Sequence, residues 1–187
     1  MSKFGRFDPC SEFLVPCSIF NLYLTVMKEN KFEFHYEEYN DISELKKDDA
    51  DLLTKARAVT KQAYAPYSNF FVGAVARLKN GEIVSGTNQE NASYPVGICA
   101  ERVLLGNAAT LFPGVSIDTL AISYDSEEVK SDHPISPCGM CRQALLEYET
   151  RTTKPIRLIL AGQQGKIYIV KTVRFLLPFA FDSSELI

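Results

Sequence analysis

Three cysteines restrict the fold of this chain more than any other feature of its sequence. Cys138 and Cys141 form a C-x-x-C pair, and Cys99 opens a separate helix-forming segment. A C-x-x-C pair is typical of metal binding or redox chemistry in a reducing compartment. The total of five cysteines is odd, which argues against a complete disulfide framework. We therefore expect a cytoplasmic protein whose fold brings these thiols together as ligands.

Regularly spaced apolar residues predict an alternation of helices and strands. Helices are predicted at 48–64, 99–111 and 138–148. Strands are predicted at 71–78, 82–87, 119–124, 156–161 and 166–170, the first two joined by a hairpin turn. This alternation predicts an α/β domain built of layers. It also places Cys99 and Cys138 at the starts of the second and third helices.

The composition is that of an ordinary globular protein. Of the 187 residues, 46% are hydrophobic and 23% are charged, which is enough to bury a core without disulfides. The 20 basic and 23 acidic residues give a net charge of −3. A chain of this charge, with no basic tract, is not expected to bind nucleic acid as its main partner.

The N-terminal residues are predicted to be an extension. Residues 1–30 precede every motif, whereas 31–187 form the predicted domain, with 31–47 as a polar lead-in. The apolar stretch 13–27 is too short and too interrupted to span a membrane, so no membrane partner is expected. Cys10 and Cys17 are predicted to be ordinary thiols, and Met27 is a candidate alternative translation start.

Three thiol ligands favour a catalytic zinc site over a structural one. Structural zinc sites have four protein ligands, whereas catalytic sites keep one position open. The chain has only two histidines, His35 and His133, and neither lies in a ligand motif. Three thiolates on a zinc dication leave a net charge of −1, which two helix N-termini would offset. Arg102 and Arg142 each come directly after a ligand segment and are expected to donate hydrogen bonds to sulfur.

Glu101 lies two residues after Cys99 and is predicted to sit near the metal without binding it. A carboxylate in that place can take a proton from water and pass it on. A C-x-x-C pair alone is often a structural zinc or redox pair. The longer pattern, Cys99-x-Glu101 followed by Pro137-Cys138-x-x-Cys141, resembles the signature of zinc deaminases, with Cys replacing the usual His.

Other segments of the chain narrow this resemblance to one family. They are residues 65–74, residues 88–94, and residues 176–178 followed by Phe181. These segments and the cysteine motif follow one another along about residues 48–183 in the same order as in one family. Together they resemble cytidine deaminase of the compact homotetrameric type. The resemblance implies a three-layer α/β fold in which a mixed five-stranded sheet carries helices on both faces.

The resemblance also implies a reaction and assigns residues to it. The implied reaction is zinc-dependent hydrolytic deamination of cytidine and 2′-deoxycytidine to uridine and 2′-deoxyuridine, with one zinc per chain. At the metal, the resemblance implies that zinc is bound by Cys99, Cys138 and Cys141, that Glu101 shuttles protons and that Arg102 braces the thiolates. At the substrate, it implies that Phe70 stacks on the pyrimidine and that Asn88 and Glu90 hydrogen-bond the ribose. The pocket is expected to be completed by Ala92, Tyr94, Ala100 and, in a homotetramer, Phe181 of a neighbouring subunit. Because Glu90 is anionic, a phosphate beside it would be repelled, and a free nucleoside is the expected substrate.

Three other functions share part of this pattern. A deaminase of a cytosine-containing antibiotic nucleoside has the same zinc motif. A zinc-bound interaction module without turnover would have no need of Glu101. A polynucleotide deaminase is disfavoured by the net charge of −3. Without the resemblance, Asn88 and Glu90 are equally consistent with turn and surface residues, Phe70 with a core residue, and His133 with an exposed loop.

Overall fold

One mixed sheet of six strands organises the chain. The computed structural model describes residues 28–186. Its strands are β1 (Tyr36–Tyr39), β2 (Phe70–Leu78), β3 (Ile83–Thr87), β4 (Ile117–Ser126), β5 (Arg157–Ala161) and β6 (Ile167–Val170). Its α-helices are α1 (Lys47–Val59), α2 (Ala100–Leu111) and α3 (Gly139–Thr152). The three predicted helices and the five predicted strands are all present.

The strand order places the beginnings and ends of particular strands side by side. The order is β1-β6-β5-β4-β2-β3, and among these neighbours only β4 and β5 run parallel, joined through α3. Phe70 pairs with Ser126, and Gly73 pairs with Thr87. The start of β2 and the ends of β3 and β4 therefore meet at one edge, which we call the site end of the sheet.

Helices cover both faces of the sheet, as expected for a three-layer fold. On one face, Leu53 of α1 lies in a buried cluster with Val75 and Ile159. On the other face, Leu104 of α2 and Leu145 of α3 lie in a second buried cluster. Strand β4 contributes to both clusters and is buried along nearly its whole length. The centre of a strand covered on both faces is expected to be a continuous apolar run, and β4 has one at residues 120–122.

Strand β1 is one strand more than the sequence predicted. It pairs antiparallel with β6, and the Tyr36 and Tyr168 rings lie 4.8 Å apart between centroids. Residues 31–47 were expected to be a polar lead-in, because Glu37 and Glu38 interrupt the apolar pattern. An edge strand buries little of its surface, so its sequence carries only a weak strand pattern.

The N-terminal predictions fall mostly on residues that the structure does not describe. Residues 1–27 lie outside the described residues, and with them lie Cys10, Cys17 and the apolar stretch 13–27. The division into residues 1–30 and 31–187 therefore stays a prediction. Within residues 28–186, no helix is long and apolar enough to cross a membrane.

Gly86 sets how closely helix α2 approaches the sheet. A Cβ atom at this position would lie 2.4 Å from the carbonyl oxygen of Ala100 and 2.4 Å from the backbone nitrogen of Leu104. Both atoms belong to helix backbone, which cannot turn aside as a side chain can. Only glycine at position 86 therefore permits this packing, which fixes the N-terminus of α2 against the site end of the sheet.

We predict that Gly86→Ala displaces the start of α2. Overpacking of this kind costs about 1–3 kcal/mol of folding free energy, and it should lower the zinc content as well as the melting temperature. The matched control is Gly106→Ala in the same helix, where an added Cβ meets nothing within 4 Å. That change should stabilise the protein by about 0.5–1 kcal/mol. Equal melting temperatures for the two variants would contradict the packing argument.

Candidate metal centre and active site

The three predicted ligand cysteines lie together at the N-termini of two helices. Cys99 is the N-cap of α2, Cys138 is the N-cap of α3, and Cys141 lies in the first turn of α3. The Sγ atoms of Cys99 and Cys138 are 3.8 Å apart, and those of Cys138 and Cys141 are 3.5 Å apart. All three sulfurs lie within 4.8 Å of one another. The fold therefore brings together thiols that are about 40 residues apart in sequence.

The backbone at the two helix starts leaves the sulfurs free to act as ligands. Cys99 and Cys138 both have extended backbone angles, as N-cap residues usually do, and neither side chain caps its own helix. Arg142 holds the segment before α3, because its Nε donates to Pro137 O at 2.8 Å and its Nη1 donates to Leu176 O at 3.1 Å. Among the described residues, no hydrogen bond from Arg142 to sulfur is found, and two of its N–H groups donate to backbone carbonyls. The expectation that Arg142 donates to sulfur stays a prediction.

The spacing of the sulfurs fits a tetrahedral metal ion. A zinc–sulfur distance of about 2.3 Å places the sulfurs of a tetrahedron about 3.8 Å apart, close to the separations found here. Among residues 28–186, no other His, Cys, Asp or Glu joins the cluster. Three ligands and one free direction are the pattern of a catalytic zinc site rather than a structural one.

Crowding of the three thiols changes their acidity. A hydrogen bond from Cys141 lowers the pKa of Cys99 to about 6, and the same contact raises the pKa of Cys141. The positive charge of Arg102 also lowers the pKa of Cys99. Without a bound cation, one of the thiols thus loses its proton easily, whereas deprotonation of a second thiol beside it is strongly unfavourable. A metal dication removes this opposition, because ligand cysteines bind as thiolates.

Glu101 lies in the first turn of α2, where the sequence predicted a proton carrier. Its side chain is buried, with a relative exposure of 5%. This burial raises the pKa of Glu101, while a hydrogen bond from the Cys141 thiol acts in the opposite direction. The carboxylate is thus next to the sulfur cluster without belonging to it. A buried carboxyl group with a raised pKa can exchange protons near neutral pH.

Asn88 fixes the start of β2 at the site end of the sheet. Its Oδ1 accepts a hydrogen bond from the Val72 backbone N–H at 2.7 Å, and its Nδ2 donates to the Phe70 carbonyl at 2.8 Å. Phe70, the predicted stacking residue, is half-buried beside it. Backbone hydrogen bonds between Gln89 and Ile98 then hold this segment against the start of α2.

Glu90 anchors the loop that precedes β2. Its carboxylate accepts hydrogen bonds from the Tyr67 backbone N–H at 2.9 Å and from Ser68 Oγ at 2.5 Å. Partial desolvation alone would raise the pKa of Glu90, but these hydrogen bonds outweigh it and lower the pKa. Glu90 is therefore anionic at neutral pH. Glu90 and Tyr94 line one cavity of about 370 Å³, and Tyr94 is 76% exposed.

The remaining predicted residues lie in three different environments. Ala92 is exposed on the loop beside this cavity, and Ala100 is fully buried at the start of α2. Phe181 is 58% exposed and lies with Arg102 and Met140 along a separate groove of about 620 Å³. Its carbonyl oxygen accepts a hydrogen bond from Gln143 at 2.9 Å. Within the described part of the chain, Phe181 therefore does not share the cavity of Glu90 and Tyr94.

Tyr124 is a neighbour of the site that the sequence analysis did not identify. Its ring is stacked on Phe70, with 4.9 Å between centroids and an interplanar angle of 14°. The apolar pattern indicated only that Tyr124 lies on a buried strand. The contact depends on the pairing of β2 with β4, and no local sequence signal specifies that register.

The fold and the site together define a class of protein. An α/β domain with an open three-thiolate metal site beside a buried carboxyl group is suited to metal-assisted hydrolysis. Residues 46–154 match the family described as "Cytidine and deoxycytidylate deaminase zinc-binding region".

Individual relatives agree with this match. The cytidine deaminase of Halalkalibacterium halodurans is 37% identical over 135 residues, which are 72% of this chain and 95% of that protein. The cytidine deaminase of Mycoplasma pneumoniae is 38% identical over 131 residues, which are 70% of this chain and 92% of that protein. The crystal structure of cytidine deaminase from Burkholderia pseudomallei superposes with a TM-score of 0.61 at 36% identity, covering 70% of this chain and 97% of that one. The chain belongs to the cytidine deaminase family, and zinc is the metal of its three-cysteine cluster.

We predict that the protein binds one zinc ion per chain through these cysteines. Replacing Cys99, Cys138 or Cys141 with Ala should remove most of the bound zinc, because two thiolates cannot hold the ion against competing chelators. Elemental analysis of the purified variants measures this directly. Cys10→Ala and Cys17→Ala are the matched controls and should retain full zinc. Full zinc in Cys138→Ala, or its loss in Cys10→Ala, would contradict the assignment.

Proposed function

We propose that this chain catalyses hydrolytic deamination of cytidine and 2′-deoxycytidine. In this reaction water adds at C4 of the pyrimidine ring, the bond from C4 to the exocyclic nitrogen breaks, and uridine or 2′-deoxyuridine leaves with ammonia. The observation that carries the proposal is the buried Glu101 in contact with a three-cysteine zinc cluster. The relatives described as cytidine deaminases support it.

Glu101 is the proton carrier in this proposal. A zinc ion held by the three cysteines supplies a Lewis acid that makes water a strong nucleophile at neutral pH. The Glu101 carboxylate takes a proton from the attacking water and delivers it to N3 of the ring. It then takes the remaining proton of the hydroxyl group now on C4 and delivers it to the amine, so that the C4–N bond breaks, ammonia leaves and C4 becomes a carbonyl. Burial raises the pKa of Glu101, which makes the carboxylate a stronger base for the first of these proton transfers.

Residues at the site end of the sheet would hold the nucleoside. Phe70 stacks on the pyrimidine ring, and Asn88 and Glu90 bind the ribose through the hydrogen-bonding capacity that their backbone contacts leave free. Ala92, Tyr94 and the backbone of Ala100 complete the pocket, and Arg102 braces the thiolates. Because Glu90 is anionic, it disfavours a phosphate near the sugar, so a free nucleoside is preferred over a nucleotide.

The assembly and the location of the protein are part of the same proposal. We infer a homotetramer in which Phe181 crosses to a neighbouring subunit and closes its pocket. The exposed aromatic surface of Phe181 and Phe179 supports this, because burying it between subunits is favourable. We also propose a cytoplasmic location, since a reducing compartment keeps the three thiols available for zinc.

We predict that Glu101→Gln abolishes deamination while the protein keeps its fold and its zinc. Loss of one general acid–base group costs about 100-fold to 10,000-fold in kcat. The decrease in ultraviolet absorbance on conversion of cytidine to uridine measures the rate, and zinc analysis is done on the same sample. Cytidine 5′-monophosphate serves as a comparison substrate and should be a poor one.

The control for this prediction is Glu82→Gln, which neutralises an exposed carboxylate in the turn between β2 and β3. It should leave kcat and KM unchanged. Wild-type protein with full zinc but no turnover of cytidine would contradict the proposed function. Near-normal turnover in Glu101→Gln would contradict the proton-carrier role while leaving the substrate assignment intact.

We predict that light scattering finds four chains per particle in active wild-type protein. Phe181→Ala should lower kcat/KM for cytidine about tenfold, the effect expected when one aromatic contact is lost from a closed pocket. Phe179→Ala is the matched control and should have a smaller effect, because no role in the pocket is proposed for that ring. A monomer of full activity that is indifferent to Phe181→Ala would contradict the shared-site assembly.

A further inference from the structure

We propose that Tyr124 is a positioning residue that holds the Phe70 ring in place for the pyrimidine. This inference rests on the proposed function, because it assumes that Phe70 stacks on the substrate. Tyr124 lies on β4 and is fully buried. Its ring covers one face of the Phe70 ring at 4.9 Å with an angle of 14° between the planes. A pyrimidine can therefore stack only on the other face, in a plane that Tyr124 sets.

The pairing of β2 with β4 produces this contact. Tyr124 is directly opposite Val72, and Phe70 is opposite Ser126. Phe70 and Tyr124 are thus diagonal neighbours on one face of the sheet, a distance that two aromatic rings span well. The same face carries α2 and α3, whose N-termini hold the cysteines. The stacked pair and the metal cluster therefore share one side of the site end.

Two further contacts fix the Tyr124 side chain. Its hydroxyl group donates a hydrogen bond to the Lys130 carbonyl at 3.1 Å, and it lies 3.1 Å from His133 Nδ1. The His133 ring also meets the Tyr124 ring edge-on, with 5.7 Å between centroids. Lys130 and His133 belong to the loop that runs directly into Pro137 and Cys138. Tyr124 thus connects the stacking ring to the loop that carries a zinc ligand.

Removal of the Tyr124 ring is expected to affect binding of the nucleoside rather than the chemical step. Phe70 is half-buried. Without the Tyr124 ring behind it, Phe70 would relax into the vacated volume, and the stack on the pyrimidine would be lost or tilted. Tyr124 makes no proposed contact with the substrate or with the three cysteines. Its removal should therefore raise KM and weaken product binding while kcat and zinc content stay nearly constant.

The first test compares Tyr124→Leu with Tyr148→Leu. Tyr148 is the matched control, because it is also buried and its hydroxyl group also donates to a backbone carbonyl, that of Val115, at 3.0 Å. Tyr124→Leu should raise KM for cytidine and the dissociation constant for uridine about threefold to tenfold, the range expected for one aromatic stack. Tyr148→Leu should lower the melting temperature without changing either constant. Tyr124→Phe keeps the stack, so its effect should be smaller, and it provides the readout if Tyr124→Leu does not fold.

The second test asks whether Tyr124 acts through Phe70. In a Phe70→Leu background, Tyr124→Leu should add little further loss of uridine binding, because the ring that it positions is gone. Additive losses in the double variant would overturn the proposal. Unchanged KM for cytidine and an unchanged dissociation constant for uridine in Tyr124→Leu would also overturn it. So would a loss of zinc and of kcat in Tyr124→Leu that parallels its loss of stability. Wild-type protein that does not deaminate cytidine would instead contradict the proposed function, so the two failures are distinguishable.

Discussion

The close approach of three cysteine sulfurs is the constraint on which the rest of the site depends. Two helix N-termini bring the sulfurs within 4.8 Å of one another, although Cys99 and Cys138 are far apart in sequence. Such a cluster cannot carry three negative charges alone, and the opposite pKa shifts of Cys99 and Cys141 express this conflict. Zinc resolves it, while the positive ends of the two helices keep the resulting anionic site electrophilic.

The sheet topology places other predicted site residues at the same end of the sheet as that cluster. Strands β3 and β4 end where β2 begins, so Asn88, Phe70 and the starts of α2 and α3 share one end of the sheet. Gly86 allows α2 to lie directly on the sheet, and Arg142 ties the start of α3 to the C-terminal segment at Leu176. The position of Glu101 then follows from the geometry of α2, because a side chain in the first turn of this helix is buried beside the cluster.

Local sequence signals predicted the metal cluster but not the contacts between distant strands and loops. Cys99 and Cys138 were placed correctly because helix starts are marked by nearby residues, and the order of helices and strands followed from apolar spacing. The Tyr124–Phe70 stack depends on strand register, and the carbonyl partners of Arg142 include one 34 residues away. Strand β1 was missed because an exposed edge strand with adjacent glutamates has almost no apolar pattern. The roles of Asn88 and Glu90 came from family resemblance, since turn residues of their type are common on any surface.

The central claim is that zinc is held by three thiolates with one position open for chemistry. X-ray absorption spectroscopy at the zinc edge of the purified full-length protein tests this directly, because sulfur and lighter atoms scatter differently. The account predicts three sulfur neighbours at about 2.3 Å and a single nitrogen or oxygen neighbour at about 2.0 Å. Four sulfur neighbours would show a closed structural site and contradict the account. Two sulfur neighbours would equally contradict the assignment of Cys99, Cys138 and Cys141 as the ligand set.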